Sequence, residues 1–349
     1  MKERNSSFEL LRLIAQFMIV VYHILLFWFI NNGASTTMEL HKAICIPLHI
    51  GVLLYVLISG FYGIRFSISG VIKIIANLLI YGLIFSLIGH FLLGDKLGLS
   101  HLLFVSNTPF WFVKIYLMLY LIAPLLNILI KQLSPTNRLI LILILAWMSC
   151  YIGLLGLDKS LTMGKNLIHF TLLYIIGNTL ALYKEQINSI HSWKIVLSYL
   201  VVNIFSISIY LLLLGHTIET ICYDFVFQYN SPLLILNATC FFIPFMRISI
   251  HSKVINYLAG SCLAIYLIHS STLVLFHPIK KFALVIQEMT SNIFVSMSFV
   301  IVLALTVCCF AIALDKLLTP YWNLVAKFSA YINSTKIGAI ALTWANQKS

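Results

Sequence analysis

Long uncharged stretches alternate with short segments that carry Lys and Arg along almost the whole chain. Nine stretches contain no Asp, Glu, Lys or Arg over 18 or more residues, about the length that a helix needs to cross the hydrocarbon core of a membrane. A tenth stretch, at about 109–130, is equally apolar but contains Lys114. The pattern predicts ten membrane-spanning helices with both termini on one side. The nine uncharged stretches are residues 13–38, 43–64, 74–94, 139–157, 166–183, 195–218, 225–246, 254–279 and 289–314.

The same pattern argues against strands. The apolar stretches show no alternation of polar and apolar residues, and an open sheet edge cannot be hydrogen-bonded in lipid. We therefore expect an all-α fold, a polytopic integral membrane bundle of about ten transmembrane helices. Residues 1–315 are expected to form this membrane domain. Residues 316–349 are expected to form a short cytoplasmic tail, with an interfacial helix near Tyr321 to Tyr331.

Composition excludes a water-soluble fold. Hydrophobic residues make up 61% of the 349 residues and charged residues only 9%, with a mean hydropathy of +1.01, whereas a soluble domain is about 45–50% apolar. The seven cysteines form no CxxC pair, so neither a metal site nor a disulfide framework is expected. There is no P-loop, dinucleotide-binding glycine pattern or HExxH motif.

The net charge of +12 indicates membrane topology rather than binding to nucleic acid, because the 22 Lys and Arg are dispersed between the apolar runs. If the N-terminus is cytoplasmic, fifteen of them lie in inner segments and six in outer loops. Lys and Arg are retained on the cytoplasmic side of membrane proteins. The distribution predicts that both termini are cytoplasmic.

The first apolar stretch carries the most suggestive polar residues. Arg12 and His23 are eleven residues apart, which places them on one helix face about 16 Å apart along the axis, and Glu9 shares much of that face. Ionisable groups inside a membrane are functional candidates because burial there is costly. The simpler alternative is that Glu9 and Arg12 form an interfacial ion pair and that His23 only bonds a neighbouring helix.

Depth in the membrane brings further polar residues into consideration. His269 lies sixteen residues past Lys253 and His23 eleven past Arg12, both on outward-running helices, so the two imidazoles are expected to share a cavity beyond the middle of the bilayer. Interfacial anchoring and snorkelling are the alternatives for an aromatic residue or a lysine near the outer surface. The candidate residues of a substrate cavity are Glu9, His49, Trp111, Lys114 and His269.

Four segments together resemble membrane acyltransferase family 3, in the order expected for that family and over essentially the whole chain. They are RNSSFELLRLIAQFMIVVYH, HIGVLLYVLISGFYGIRFS, FWFVKIYLMLYLIAPLLN and LAGSCLAIYLIH. The family's signature of a basic residue, ten residues and a histidine falls on Arg12 and His23. Its SGF signature falls on Ser59, Gly60 and Phe61, with Arg65 close behind.

The resemblance implies a stand-alone O-acyltransferase, without an extracytoplasmic hydrolase domain, in a bacterial-type cytoplasmic (inner) membrane. It would move an acyl group, commonly acetyl, from cytoplasmic acetyl-CoA or another acyl-CoA to a hydroxyl of a cell-envelope or exported polysaccharide or of its lipid-linked saccharide precursor. His23 and Arg12 would be catalytic, and no metal is expected. The donor would bind at Arg12, Arg65, Ser59, Gly60 and Phe61.

Two questions stay open at the level of sequence. His23 can act as a general base in direct transfer, which we favour, or can itself accept the acyl group. The acid that would orient it is not identified, although Glu219 or Asp224 in an outer loop are candidates. A transporter or flippase for an anionic or lipid-linked sugar is the main alternative function, and consumption of acetyl-CoA discriminates between the two.

Overall fold

A computed structural model describes residues 5–30, 36–94, 110–214 and 225–345. These residues form helices and connecting turns with no strand, so the predicted all-α membrane bundle is confirmed. The helices are α1 (Ser7–Ile30), α2 (Thr36–Leu48), α3 (Gly51–Tyr62), α4 (Ile68–Leu93), α5 (Trp111–Gln132), α6 (Pro135–Ala146), α7 (Leu167–Leu182), α8 (Ser192–Leu212), α9 (Pro232–Arg247), α10 (Lys253–Ala259), α11 (Cys262–His269), α12 (Lys280–Met289), α13 (Ile293–Leu317), α14 (Thr319–Asn333) and α15 (Lys336–Ala345).

Each of the ten predicted spans coincides with apolar helix, in the predicted order. Eight are long and apolar enough to cross a membrane, which makes the chain a multi-pass membrane protein. The sixth and ninth are shorter than predicted, at Leu167–Leu182 and Lys253–His269. The sixth begins only after Asn166, whose side chain caps it by accepting from the backbone of His169. The ninth is interrupted at Gly260 and stops at His269.

Contacts between connecting segments agree with the predicted up-and-down course of the chain. At the end that holds the N-terminus, the backbone N–H of Ser6 donates to the carbonyl of Ile250 at 2.6 Å. At the opposite end, His41 Nε2 lies 2.6 Å from Ser296 Oγ. Segments predicted on one side of the membrane therefore meet at one end of the bundle. The outer-loop residues Glu219 and Asp224, like Lys96, lie outside the described residues.

Two of the spans are broken at depth in the bundle. The second is divided into α2 and α3 by a turn at His49 and Ile50, two residues after Pro47. The ninth is divided into α10 and α11 by a turn at Gly260 and Ser261. Non-helical backbone at membrane depth is tolerated where it is buried in protein or lines a cavity, so these breaks mark the region in which a site is expected.

Helices α3 and α7 pack at backbone contact. A Cβ at Gly60 would overlap the carbonyl oxygen of Tyr174, and one at Gly177 would overlap that of Leu57. Small residues permit this close approach in membranes, where helix association depends on van der Waals packing. The Tyr174 hydroxyl completes the joint, because it accepts from the backbone N–H of Ile64 at 2.8 Å and donates to Asn127 Oδ1 at 2.7 Å.

The segment after residue 315 packs against the membrane helices. In α14, Tyr321 donates to the carbonyl of Ala76 at 2.9 Å. Asp315 accepts hydrogen bonds from the hydroxyls of Tyr81 at 2.8 Å and Ser261 at 2.6 Å and from Trp322 Nε1 at 3.1 Å. The boundary predicted at residue 315 thus separates elements that are in direct contact.

Candidate active site

One face of α1 leads from the end of the bundle that holds the N-terminus towards its interior. Arg12, Gln16, Ile19 and His23 follow one another at spacings of four, three and four residues, which is the repeat of a single helix face. The first three line a cavity of about 900 Å³. His23 lies one turn beyond it, so α1 connects the cavity to the histidine.

The lower part of the cavity, which lies towards the N-terminus of α1, is polar and basic. Its walls include three cations, Arg12, Lys73 and Lys316, and one acid, Asp315. Asp315 already accepts three hydrogen bonds from neutral donors. The other polar side chains of this wall include Ser59, Ser69, Asn77 and Asn333.

Arg12 is held in position from two directions. Its Nη1 lies 3.2 Å from both carboxylate oxygens of Glu9, which is itself buried. The Tyr55 hydroxyl donates to the backbone carbonyl of Arg12 at 2.8 Å and lies 3.3 Å from Gln16 Oε1. The side chain of Arg12 keeps 36% of its surface exposed, so part of the guanidinium is free to meet an anion.

The upper end of the cavity is aromatic. Phe112 and Tyr266 both line it, with ring centroids 5.7 Å apart. The ring of Tyr266 also meets the imidazole of His269 at 6.0 Å, edge to face. Tyr266 is therefore the contact between the cavity and the histidines above it.

His23 and His269 are hydrogen-bonded to each other, with His23 Nδ1 lying 2.8 Å from His269 Nε2. His269 Nδ1 lies 2.6 Å from the carbonyl oxygen of Ile265. A carbonyl can only accept, so this nitrogen carries the proton of the neutral ring. His269 Nε2 then accepts, both from His23 Nδ1–H and from the hydroxyl of Ser270 at 3.2 Å. This assignment leaves His23 Nε2 unprotonated, as a base requires.

No carboxylate is among the hydrogen-bond partners of this histidine pair in the described part of the chain. His269 occupies the position at which an acid would orient the catalytic imidazole in a triad. The proposed acids Glu219 and Asp224 lie outside the described residues, so their role stays a prediction.

A second cluster lies beside the pair. The ring of His49 stacks on Tyr229 and meets Tyr22, both with centroids 4.3 Å away. Trp111 joins the cluster at 5.3 Å from Tyr229, and Lys165 Nζ lies 5.3 Å from the centroid of the Trp111 ring. Desolvation by the surrounding protein lowers the pKa of Lys165. Aromatic faces, an imidazole and a cation thus come together near His23.

Comparison with known protein families identifies the family of the chain. The model of the acyltransferase 3 family, described as an acyltransferase domain, matches residues 5–314. The chain belongs to this family. It is therefore a membrane acyltransferase, and the matched region contains Arg12, His23 and His269. No curated protein and no solved structure matches the chain.

The three residues of the SGF signature of this acyltransferase point in different directions. Ser59 lines the cavity, and its Oγ lies 3.1 Å from the Tyr116 hydroxyl. Gly60 faces α7, where the backbone of Tyr174 covers it. Phe61 packs against Phe8, with ring centroids 4.9 Å apart. Of these three residues Ser59 alone lines the cavity, whereas Gly60 and Phe61 make packing contacts, and their role in donor binding stays a prediction.

Two of the cations that were predicted to be site residues lie away from the cavity. Arg65 is exposed in the turn before α4, where its backbone carbonyl accepts from Tyr120 at 3.3 Å. Lys114 is exposed on the first turn of α5. Neither side chain lines the cavity, and an exposed position is what snorkelling to the membrane surface predicts for Lys114.

Sequence reasoning missed several residues of the site. Gln16 could have been found, because it shares the face of Arg12 and His23. Tyr266 lies only three residues before His269, but the segment around it has the composition of an ordinary apolar span. Lys165 looked like an ordinary outer-loop cation, and the cavity-lining face of α14 looked like an interfacial tail.

Proposed function

We propose that this acyltransferase moves an acyl group, acetyl as the first choice, from cytoplasmic acyl-CoA to a hydroxyl of a cell-envelope or exported polysaccharide or of its lipid-linked precursor. The membrane would be a bacterial-type inner membrane. The observation that carries the proposal is the basic cavity that runs along α1 from Arg12 to Ile19 and ends at Tyr266, whose ring contacts His269 of the His23–His269 pair.

The cavity suits a long donor with one charged and one apolar end. The lower part is lined by three cations and one acid, and even with Lys316 paired to Asp315 and Arg12 to Glu9 its wall keeps an excess of positive charge. This excess favours phosphates, since guanidinium and ammonium groups bind phosphate oxygens through charge-assisted hydrogen bonds. The upper part, with Ile19, Phe112 and Tyr266, suits the pantetheine arm and the thioester. The acyl carbon would then arrive at Tyr266, next to His269 and His23.

The chemistry follows from the free nitrogen of His23. His23 Nε2 takes the proton of the acceptor hydroxyl while that oxygen attacks the thioester carbonyl carbon. The carbon–sulfur bond breaks, and the CoA thiolate takes up the proton as it leaves. Direct transfer is favoured because the Nδ1–H···Nε2 bond to His269 stabilises the imidazolium that forms in this step.

The acceptor would approach through the second cluster. Trp111 is a partly exposed aromatic ring beside the stacked pair of Tyr229 and His49, and Lys165 adds a cation. Sugar rings present apolar C–H faces that pack on aromatic side chains, while a cation favours an acidic sugar or a lipid-linked phosphate. Donor and acceptor would then reach His23 from opposite ends of the bundle.

The decisive experiment measures release of free CoA from acetyl-CoA by membranes that contain the wild type, His23→Ala or His191→Ala, with and without a lipid-linked glycan extract from the source organism. His191 is exposed at the start of α8 and serves as the histidine control. We expect extract-dependent release in the wild type and the control and none above background in His23→Ala. Wild-type rates in His23→Ala would overturn the assignment. A lack of release by inserted wild type, with a verified acceptor present, would favour a transporter.

A further inference from the structure

The cavity extends beyond the part of the chain that the family model matches. That match ends at residue 314, yet a quarter of the cavity wall comes from later residues. The lining residues of α14 are Trp322, Val325, Ala326, Ser329, Ala330 and Asn333. Their spacing of three, one, three, one and three residues is that of one helix face, so a whole side of α14 faces the cavity.

Hydrogen bonds fix this helix against α4 at both ends. Near its start, Tyr321 donates to Ala76 and Trp322 to Asp315. Near its end, Ser329 Oγ donates to Ser69 Oγ at 2.6 Å, and Asn333 Nδ2 donates to the same oxygen at 2.9 Å. The helix is thus a fixed part of the wall.

Between these fixed ends, α14 presents small side chains. Ala326 and Ala330 line the cavity and remain exposed, so the space in front of them is open. Lys73 and Gly70 of α4 line the same cavity. A large side chain at either alanine would fill this space, which makes the two alanines the positions that determine its width.

We propose that α14 forms the pocket for the nucleotide end of the acyl-CoA donor. This inference rests on the proposed function. The aromatic end of the cavity lies next to the histidine pair and takes the acyl end, so the other end of a donor in the same cavity lies between α4 and α14. There Lys73 contributes a cation for the phosphates, and the two alanines leave room for the planar base. Lys316 and Asn333 line the same part of the wall, where Lys316 Nζ donates to the Tyr257 carbonyl at 3.1 Å and Asn333 Nδ2 donates to Ser69 Oγ at 2.9 Å.

The test is equilibrium binding of two probes, CoA and pantetheine, to the purified full chain in lipid nanodiscs. Pantetheine lacks the nucleotide and reports on the upper cavity alone. Ala330→Trp and Ala326→Trp fill the space beside α14, and Ala330→Val fills it partly. Phe328→Trp is the matched control, because Phe328 lies on the same helix, is 54% exposed and does not line the cavity.

We expect both Trp variants to raise the Kd for CoA at least about tenfold, Ala330→Val to raise it less, and the control to leave it unchanged. The Kd for pantetheine should stay at the wild-type value in all four. An unchanged CoA Kd in the Trp variants overturns the inference, and so does an equal loss of both probes, which would indicate general damage to the cavity.

A further comparison separates this inference from the proposed function. Wild type that binds no CoA at all would remove the donor assignment itself. Wild type that binds CoA, with weakened binding in Arg12→Ala but not in Ala330→Trp, would keep the proposed function and reject the role of α14.

Discussion

His23 and His269 form an unequal pair, because only one ring has its far nitrogen bonded to the backbone. The bond from His269 Nδ1 to the Ile265 carbonyl fixes the tautomer of His269, and that tautomer directs the proton of His23 to Nδ1. His269 thus acts on the reaction through His23. It is a positioning residue in the proposed mechanism.

Removal of the acceptor nitrogen of His269 should lower turnover without weakening the binding of the acyl donor. For His269→Leu we expect kcat to fall about 100-fold, the lower end of what a positioned general base contributes. His269→Gln retains an acceptor oxygen, and we expect it to recover part of this loss. Neither residue 269 nor residue 23 lines the cavity, so KM for acetyl-CoA should stay near the wild-type value. Steady-state kinetics with varied acetyl-CoA provide the measurement.

His169→Leu is the matched control for this experiment. His169 is also buried, and its Nδ1 is hydrogen-bonded to Ser149 Oγ at 3.0 Å, away from the cavity. An equal fall in kcat in His169→Leu, or no recovery in His269→Gln, would show that His269 only supports the fold.

The family resemblance implies that both Arg12 and Arg65 bind the donor, but of the two Arg12 alone lines the cavity. We expect Arg12→Ala to raise KM for acyl-CoA about tenfold with a smaller change in kcat, because a ground-state contact to phosphate is lost. Arg65→Ala should leave KM almost unchanged. Similar increases in both variants would contradict the donor position along α1.

At the scale of elements, the joint between α3 and α7 determines where Ser59 and Arg12 can meet a ligand. Gly60 has no space for a side chain, because a Cβ would overlap the Tyr174 carbonyl. We expect Gly60→Ala to destabilise the protein by about 3 kcal/mol, the upper end of the usual cost of overpacking. The effect is measured by heating the protein in detergent and monitoring the loss of its monodisperse peak in size-exclusion chromatography.

Gly260→Ala is the control for that substitution, because the nearest atom to a Cβ there is the Tyr257 carbonyl oxygen at 3.3 Å. We expect a much smaller fall in its unfolding temperature. If both variants unfold at the wild-type temperature, the α3–α7 joint must be able to open without cost, and the packing role assigned to Gly60 would be wrong.

The elements that could be predicted are those determined by local pattern. Nine uncharged runs and one apolar run that contains Lys114 predicted the ten spans in order, because an apolar run of sufficient length has few alternatives to a helix in lipid. The breaks at His49 and Gly260 could not be predicted in the same way, since they interrupt runs in which no charged residue marks the break. The shared face of Arg12 and His23 follows from helix geometry, whereas their neighbours Tyr55 and Tyr266 come from other helices and depend on tertiary packing.

At the scale of the whole molecule, the sequence pattern led to the correct architecture but assigned α14 to a tail. An amphipathic helix after the last span has the same composition whether it lies on lipid or covers a cavity. What distinguishes the two is a set of contacts with α4, through Ser69 and Ala76, about 250 residues earlier in the chain. Such long-range contacts leave no periodic signal.

The orientation of the molecule is the prediction on which the direction of transfer depends. Ser69, Lys73 and Asn333 line the cavity, and the proposed donor, acyl-CoA, is a cytoplasmic compound. The proposed function therefore requires that the end of the bundle that holds these residues and the N-terminus faces the cytoplasm. We expect alkaline phosphatase, which folds only outside the cytoplasm, to be active when fused after Asp158 and inactive when fused after Asn188. Phosphatase activity per unit of fusion protein in whole cells is the measurement. Activity only after Asn188 would place the basic cavity on the outer side, where no acyl-CoA can reach Arg12, and both the positive-inside reading of the loops and the proposed route of the donor would be wrong.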